Sequence, residues 1–154
     1  NEATNKIETL INHQNELQKE IKNLRNQLSK DKFTTALQNP IIVSDISVIA
    51  TNLPDADSDT LRSLTDMFKQ KFASGVVVLG SVLEEKPLFV AAITPDLNKR
   101  GLHAGQLIKV VAAEVDGSGG GKPEMAQAGG KNPKRMSEAL DKVVPYIKAN
   151  LKEG

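Results

Sequence analysis

Residues Gly117–Gly130, GSGGGKPEMAQAGG, place six glycines in fourteen positions, with Lys122 and Pro123 between the two glycine groups. Glycine loses more conformational freedom on ordering than any other residue. So dense a group in a folded domain is expected where the backbone takes positive φ or passes very close to something. That neighbour is either another piece of backbone or an anionic oxygen that needs N–H donors. The two common nucleotide fingerprints are excluded. The Walker pattern requires Ser or Thr directly after Gly-Lys, and Pro123 stands there. The dinucleotide pattern requires a glycine at Lys122 and a strand immediately before the segment. Two readings remain. In one, Gly119–Gly121 lets several N–H groups converge on an anion beside Lys122. In the other, the segment is a tight interior loop that tucks against a sheet. Met125–Ala128 has the composition of a short strand, and Gly129-Gly130 again permits close backbone approach.

Outward from this segment the pattern is α/β. Leu102–Val115 predicts a helix with Leu107, Ile108, Val111 and Val115 inward, after a loop at Asn98–Gly101. Pro133 opens a final helix to about Leu151 that buries Met136, Leu140, Val143, Val144 and Ile147, and Pro145 within it implies a kink or a break. Gly75–Leu83 (GVVVLGSVL) predicts a buried strand, Glu84–Pro87 a hairpin turn and Leu88–Thr94 the return strand. Ile41–Val43 and Ile46–Ala50 read as strands, or as one strand bent near Ser44-Asp45. Asp57, Ser58 or Asp59 caps a helix running to about Phe72, after a turn around Pro54. Negative charge at that helix N-terminus suits the dipole, and the three aspartates Asp55, Asp57 and Asp59 lack the glycine and terminal glutamate of a calcium loop.

The first 35 residues follow another rule. Ile7, Leu10, Gln14, Leu17, Ile21, Leu24 and Leu28 recur at alternating steps of three and four, predicting one helix over residues 4–30 with a narrow apolar seam. A 3.5-residue period is the seam of a coiled coil, and a polar Gln14 on it costs stability while fixing register or partner number. The alternative is a surface helix packed on its own domain. Residues 1–35 are therefore expected to form a coiled-coil helix for oligomerisation and residues 36–154 one globular domain: α/β, a mixed sheet flanked by helices.

Composition narrows the function classes. The chain has no cysteine, which excludes disulfides, thiol catalysis and thiolate metal sites and accords with a reducing cytoplasm. No apolar run has the length of a membrane span, and the N-terminus lacks the pattern of a signal peptide. The net charge of +1 is uneven: residues 1–97 carry 10 basic and 13 acidic side chains, and residues 98–154 carry 10 and 6. An anionic partner is thus expected at the glycine-rich end. With one tyrosine and no tryptophan, stacking platforms for unpaired bases are scarce.

The run from Gly119 to Gly130, GGGKPEMAQAGG, resembles the terminal signature of the alanyl-tRNA synthetase family: three glycines, Arg or Lys, Pro, two variable residues, Ala-Gln, then a small residue and two glycines. Leu102–Lys109 (LHAGQLIK) and Gly75–Gly80 (GVVVLG) resemble that family in the same order and spacing, and the heptad helix is similarly placed. One departure is Asp116-Gly117-Ser118, where the family carries two glycines and a basic residue.

The resemblance implies the C-terminal part of a bacterial-type synthetase: a helical stalk and a DHHA1-type globular domain, the latter also found in DHH phosphoesterases. In the synthetase family this part is associated with dimerisation and with the outer corner of tRNA(Ala), where the D and T loops meet. The parent enzyme attaches alanine to tRNA(Ala) with ATP and edits mischarged tRNA. No cofactor is expected in this piece, while the parent implies ATP, magnesium and an editing-site zinc. No catalytic set is expected here either. His13 and His103 lie on separate segments, too few for zinc, and no Asp-His-His constellation is present.

The expected tRNA contacts are Gly119, Gly120 and Gly121 with Lys122, Lys131, Lys134 and Arg135, joined by Lys99 and Arg100; Lys109 lies on the helix between. Ile7, Leu10, Leu17, Ile21, Leu24 and Leu28 are expected to pair helices into a homo-oligomer. Two rivals are a single-strand nucleic-acid-binding domain of a DHH-type nuclease and a purely structural dimerisation module.

Overall fold

Paired β-branched runs build the centre of the chain, and a computed structural model describes residues 2–152 of it. Strands β1 (Ile41–Val43) and β2 (Ile46–Asn52) form an antiparallel hairpin closed by Ser44 and Asp45, at φ 47° and 72°. Strands β3 (Gly75–Leu83) and β4 (Lys86–Ile93) form a second, closed by Glu84 and Glu85 at φ 52° and 65°. Positive φ at both central residues is the two-residue turn whose twist matches the flanking strands. The second turn is shorter than the expected Glu84–Pro87. Lys86 and Pro87 belong to β4, paired with Leu83 and Val82. Pro87 is accommodated at the last rung towards the neighbouring strand, where its carbonyl accepts from Gly130 N at 3.0 Å.

Helix α2 (Ser58–Lys71) carries the chain from β2 to β3, which pair in parallel from Ser47↔Gly75 to Asn52↔Gly80. Asp57 is its N-cap: the carboxylate accepts from Thr60 N at 2.8 Å. That backbone bond, helped by the Thr60 side chain and the nearby Lys22 charge, holds the Asp57 carboxyl below the usual carboxylate range against the opposing effect of burial. Strands β5 (Ser118–Gly121) and β6 (Met125–Gly129) pair antiparallel, and β6 joins β4, completing the order β1-β2-β3-β4-β6-β5. The sheet is mixed, as expected.

The long first helix, α1 (Glu2–Gln38), exceeds the expected 4–30 at both ends and stops before Pro40, which disfavours helix at Asn39. Its last turns turn Ser29, Phe33 and Leu37, spaced by four, into the body. There they pack with α2 on one face of the sheet, where Phe33, Leu53, Leu61, Phe68 and Val77 are fully buried. Asn26 Oδ1 accepts from Thr60 Oγ1 at 3.1 Å and Lys32 Nζ donates to Asn52 O at 2.6 Å, fixing the angle of entry. The expected division between residues 35 and 36 falls inside this helix, between two of its core residues. About 24 residues, roughly 36 Å at 1.5 Å per residue, precede the docked part.

The opposite face is covered by α4 (Ala104–Ala113), α5 (Met136–Asp141) and α6 (Val143–Asn150), with Leu107, Ile108, Val111 and Ile147 fully buried. A four-residue helix, α3 (Pro95–Asn98), precedes the loop expected at 98–101, where Gly101 takes φ 100°. Helix α4 begins two residues later than expected because Leu102 is buried in extended structure and His103 becomes the N-cap, its Nδ1 accepting from Gln106 N at 3.3 Å. It ends two residues early, at Ala113 instead of Val115. Pro133–Arg135 is a 3₁₀ turn, and the final helix is broken at Lys142. Pro145 has no N–H for the Asp141 carbonyl and crowds it, so the break lies one turn upstream of the proline.

Candidate nucleic-acid interface

The glycine segment is a hairpin: Ser118–Gly121 is a strand where a loop was expected, and Met125–Gly129 is the short strand expected at Met125–Ala128. Among the described residues Gly101 alone of the glycines has positive φ. In a strand, successive N–H groups point to opposite edges, so those of Gly119–Gly121 do not converge. The spacing has the other expected cause, close approach to a second piece of backbone. A Cβ at Gly117 would overlap Gly129 O. One at Gly119 would overlap Gln127 O and Ala128. One at Gly121 would stand 2.7 Å from Ala126 Cα and Met125 O. At alternate positions β5 thus lies too close to β6 for any side chain. Gly120 differs: its Cβ would meet only Lys109 Cε, at 3.6 Å.

This edge of the sheet is covered on one side only. Helix α4 packs against β5, where a Cβ on Gly105 would come within 2.9 Å of Gly121 O. On the other side α2 lies over β3 and β4 and leaves β6 and β5 open. Two grooves mark the open strip. One, of about 440 Å³, lies between Arg62 of α2 and the Gly120–Lys122 and Met125–Gln127 segments. The other, of about 580 Å³, lies between Lys86, Ser118, Gly129 and Lys131 at the far end. The strip is smooth because its residues are glycine, alanine and serine, apart from Met125 and Gln127.

The expected basic residues do not form one cluster. Lys122 is exposed in the β5–β6 turn. Lys99 and Arg100 stand near that end, since Asn98 Nδ2 and Ala104 N both donate to Pro123 O, at 2.8 and 2.9 Å. Arg100 is engaged: its Nε donates to Lys152 O at 2.9 Å and its Nη1 lies 4.0 Å from Asp45. Lys131, Lys134 and Arg135 stand beyond the other end of β5, a strand of four residues and about 13 Å at 3.3 Å per residue. Lys131 and Lys134 are exposed. Arg135 faces Glu114, with Nη2 and Oε2 2.7 Å apart, and Lys142 lies 3.6 Å from the same carboxylate. Lys109 bridges the middle, beside Gly120. The charges therefore flank a smooth strand at intervals, a spacing that suits the phosphates of an extended or folded backbone.

Three contributors were not expected from the sequence: Arg62, Lys86 and Gln127. With the Gln127 amide oriented so that its oxygen faces the guanidinium, it accepts from both Nε and Nη2 of Arg62. Strand alternation in Ala126-Gln127-Ala128 was the available signal for Gln127, because both alanines turn to the α4 face. Nothing in α2 marks Arg62 apart from its other solvent-facing residues. No group of three or more His, Cys, Asp or Glu side chains among the described residues could hold a metal ion.

On α1 the seam is open. Ile7, Leu10, Leu17, Ile21, Leu24 and Leu28 are 45–69% exposed, and of these Ile21 and Leu28 border grooves against Asp55, Leu83 and Pro54 of the body. No helix among the described residues is long and apolar enough to cross a membrane.

Comparison with known proteins finds relatives of this chain. A family model described as the DHHA1 domain matches residues 45–149. An alanine–tRNA ligase of Desulforamulus reducens is 42% identical over 151 residues, 98% of this chain and 17% of that protein. One from Natranaerobius thermophilus is 46% identical over 133 residues, 86% of this chain and 15% of that protein. The chain thus spans about a sixth of the length of these relatives. Among solved structures, the C-Ala domain of Aquifex aeolicus alanyl-tRNA synthetase superposes with a TM-score of 0.64 at 27% identity, covering 70% of this chain and 96% of that one.

Proposed function

Because the chain belongs to the DHHA1 domain family, we propose that it serves as the C-terminal tRNA-binding and self-associating region of a cytoplasmic alanine–tRNA ligase. In this reading the catalytic and editing chemistry, with its ATP, magnesium and zinc, resides in the parent protein, and this part holds the RNA. The observation that carries the proposal is the uncovered β6–β5 strip with Lys122 at one end, Lys109 at its middle and Lys86, Lys131 and Lys134 at the other. A folded tRNA presents phosphates across a broad surface, and lysines spaced along a smooth strand meet them without reading sequence. The open apolar seam on α1 supports self-association, since a stripe of six exposed large aliphatic residues is costly in water.

Binding of an alanine-accepting tRNA transcript to the chain, measured at several salt concentrations, tests the RNA role. Lys122→Glu combined with Lys131→Glu is expected to weaken binding by roughly tenfold or more and to flatten the salt dependence, since two phosphate contacts are lost. Unchanged affinity, or tighter binding to unpaired oligonucleotides than to the transcript at matched salt, contradicts the proposal.

A further inference from the structure

Three arginines of the globular body illustrate two different fates of a guanidinium. Arg135 faces the Glu114 carboxylate at 2.7 Å, and Arg100 faces the exposed Asp45 more loosely, at 4.0 Å. Arg62 has no carboxylate within 4.0 Å among the described residues. Its side-chain partner is instead the Gln127 amide oxygen, a neutral acceptor. An amide fixes the plane of the guanidinium without neutralising it.

The geometry of that contact leaves a specific set of donors. Gln127 takes the side-on edge, formed by Nε and Nη2. The end-on edge, with one N–H each from Nη1 and Nη2, has no partner among the described residues. Two parallel N–H groups of that kind match two oxygens of a phosphate, a bidentate arrangement that lysine cannot reproduce. Arg62 lines the groove opposite Gly120–Lys122, so an anion there lies between a fixed arginine fork and a lysine. Gly120, whose Cβ would meet no backbone, keeps the floor of this groove low, although the strand pairing does not require glycine there.

From this juxtaposition we propose that Arg62, oriented by Gln127, is a phosphate-binding residue of the RNA interface, and that Gln127 is its positioning residue. The inference rests on the tRNA-binding reading and assigns it a fixed contact on α2, outside the glycine segment itself. It implies that one RNA backbone phosphate sits on the α2 side of the open strip. The lysines then engage its neighbours along β5.

The test uses the full chain and the alanine-accepting tRNA transcript, with affinity measured across a salt series and the melting temperature of each variant recorded. Arg62→Ala is expected to weaken binding about tenfold and to lower the salt slope by about one. Arg62→Lys, which keeps the charge but not the fork, is expected to recover less than half of that loss on a logarithmic scale. Gln127→Leu removes the acceptor and is expected to weaken binding several-fold, with no further loss when added to Arg62→Ala. Additive losses from the two substitutions would overturn the positioning role. Binding within twofold of the unaltered chain for Arg62→Ala would overturn the assignment. If Lys122→Glu with Lys131→Glu still weakened binding, the wider RNA reading would stand without it. Absence of any salt-sensitive binding by the unaltered chain would overturn both.

Discussion

At Gly119 an added Cβ would run into Gln127 O and Ala128, whereas at Gly120 it would find only Lys109 Cε at 3.6 Å. Adjacent glycines in one motif are therefore held for different reasons, one by strand packing and one by whatever must approach the surface. Gly119→Ala is expected to destabilise the body by about 1–3 kcal/mol, because the backbone of β5 must separate from β6. Gly120→Ala is expected to be neutral, or stabilising by up to about 1 kcal/mol through the unfolded chain. It should nonetheless weaken tRNA binding by roofing the floor of the Arg62 groove. Thermal melts of the two variants check the contrast, and equal losses of stability would contradict it. Arg62, Arg100 and Arg135 make the same point for charge: the partner decides whether a guanidinium remains available.

Helix α1 is two elements in one. Up to Arg25 its side chains are exposed, with an apolar seam largely open to water, although Gln18, Ile21, Lys22 and Arg25 face Asp55, Asp57 and Leu83 across a groove. From Ser29 it is an ordinary core helix of the body. Changing Leu17 and Leu24 to Asp should therefore lower the mass measured by light scattering to that of a single chain. The melting of the body should stay unchanged, since neither residue touches it. An unaltered mass would contradict the pairing of these seams.

The seam, helix α2 and the inward residues of α4 were legible in the sequence because each has a period that local geometry enforces, and β3 and β4 because they are continuous apolar runs bounded by turn residues. The second hairpin turn was read too long. Glu84-Glu85 adopts positive φ without glycine, which no local propensity announces. The glycine segment was read as a loop because glycine usually marks turns. Its strand character comes from pairing with β6, which is tertiary information. Arg62 and Gln127 were invisible for a related reason: they meet only once α2 has been laid across β4, next to the open edge. The end of the helix at Lys142 was signalled only through Pro145, whose effect falls a turn upstream.

For the molecule as a whole, strand order creates the site. The chain places β6 and β5 outside β4, beyond the reach of α2, so one helical layer is complete and the other stops short. The result is a strip open on one side and backed by α4 on the other, rigid without being buried. The basic residues expected around a single loop are instead distributed along about 13 Å of strand, at both its ends and its middle. That distribution suits a broad, folded RNA better than a small anion, and it sets the glycine strand between two charged ends. The docked end of α1 packs against β2 and α2, in the other half of the sheet from β5 and β6. The residues proposed for self-association, on α1, and those proposed for RNA contact, along β5 and β6, thus lie on different elements.

Amide hydrogen exchange of the chain, with and without the alanine-accepting tRNA transcript, tests the central claim most directly. Protection confined to Ser118–Lys131 and to the Arg62 turn of α2 is the predicted result. Protection elsewhere, with exchange in β5 and β6 unchanged by the RNA, would contradict the account.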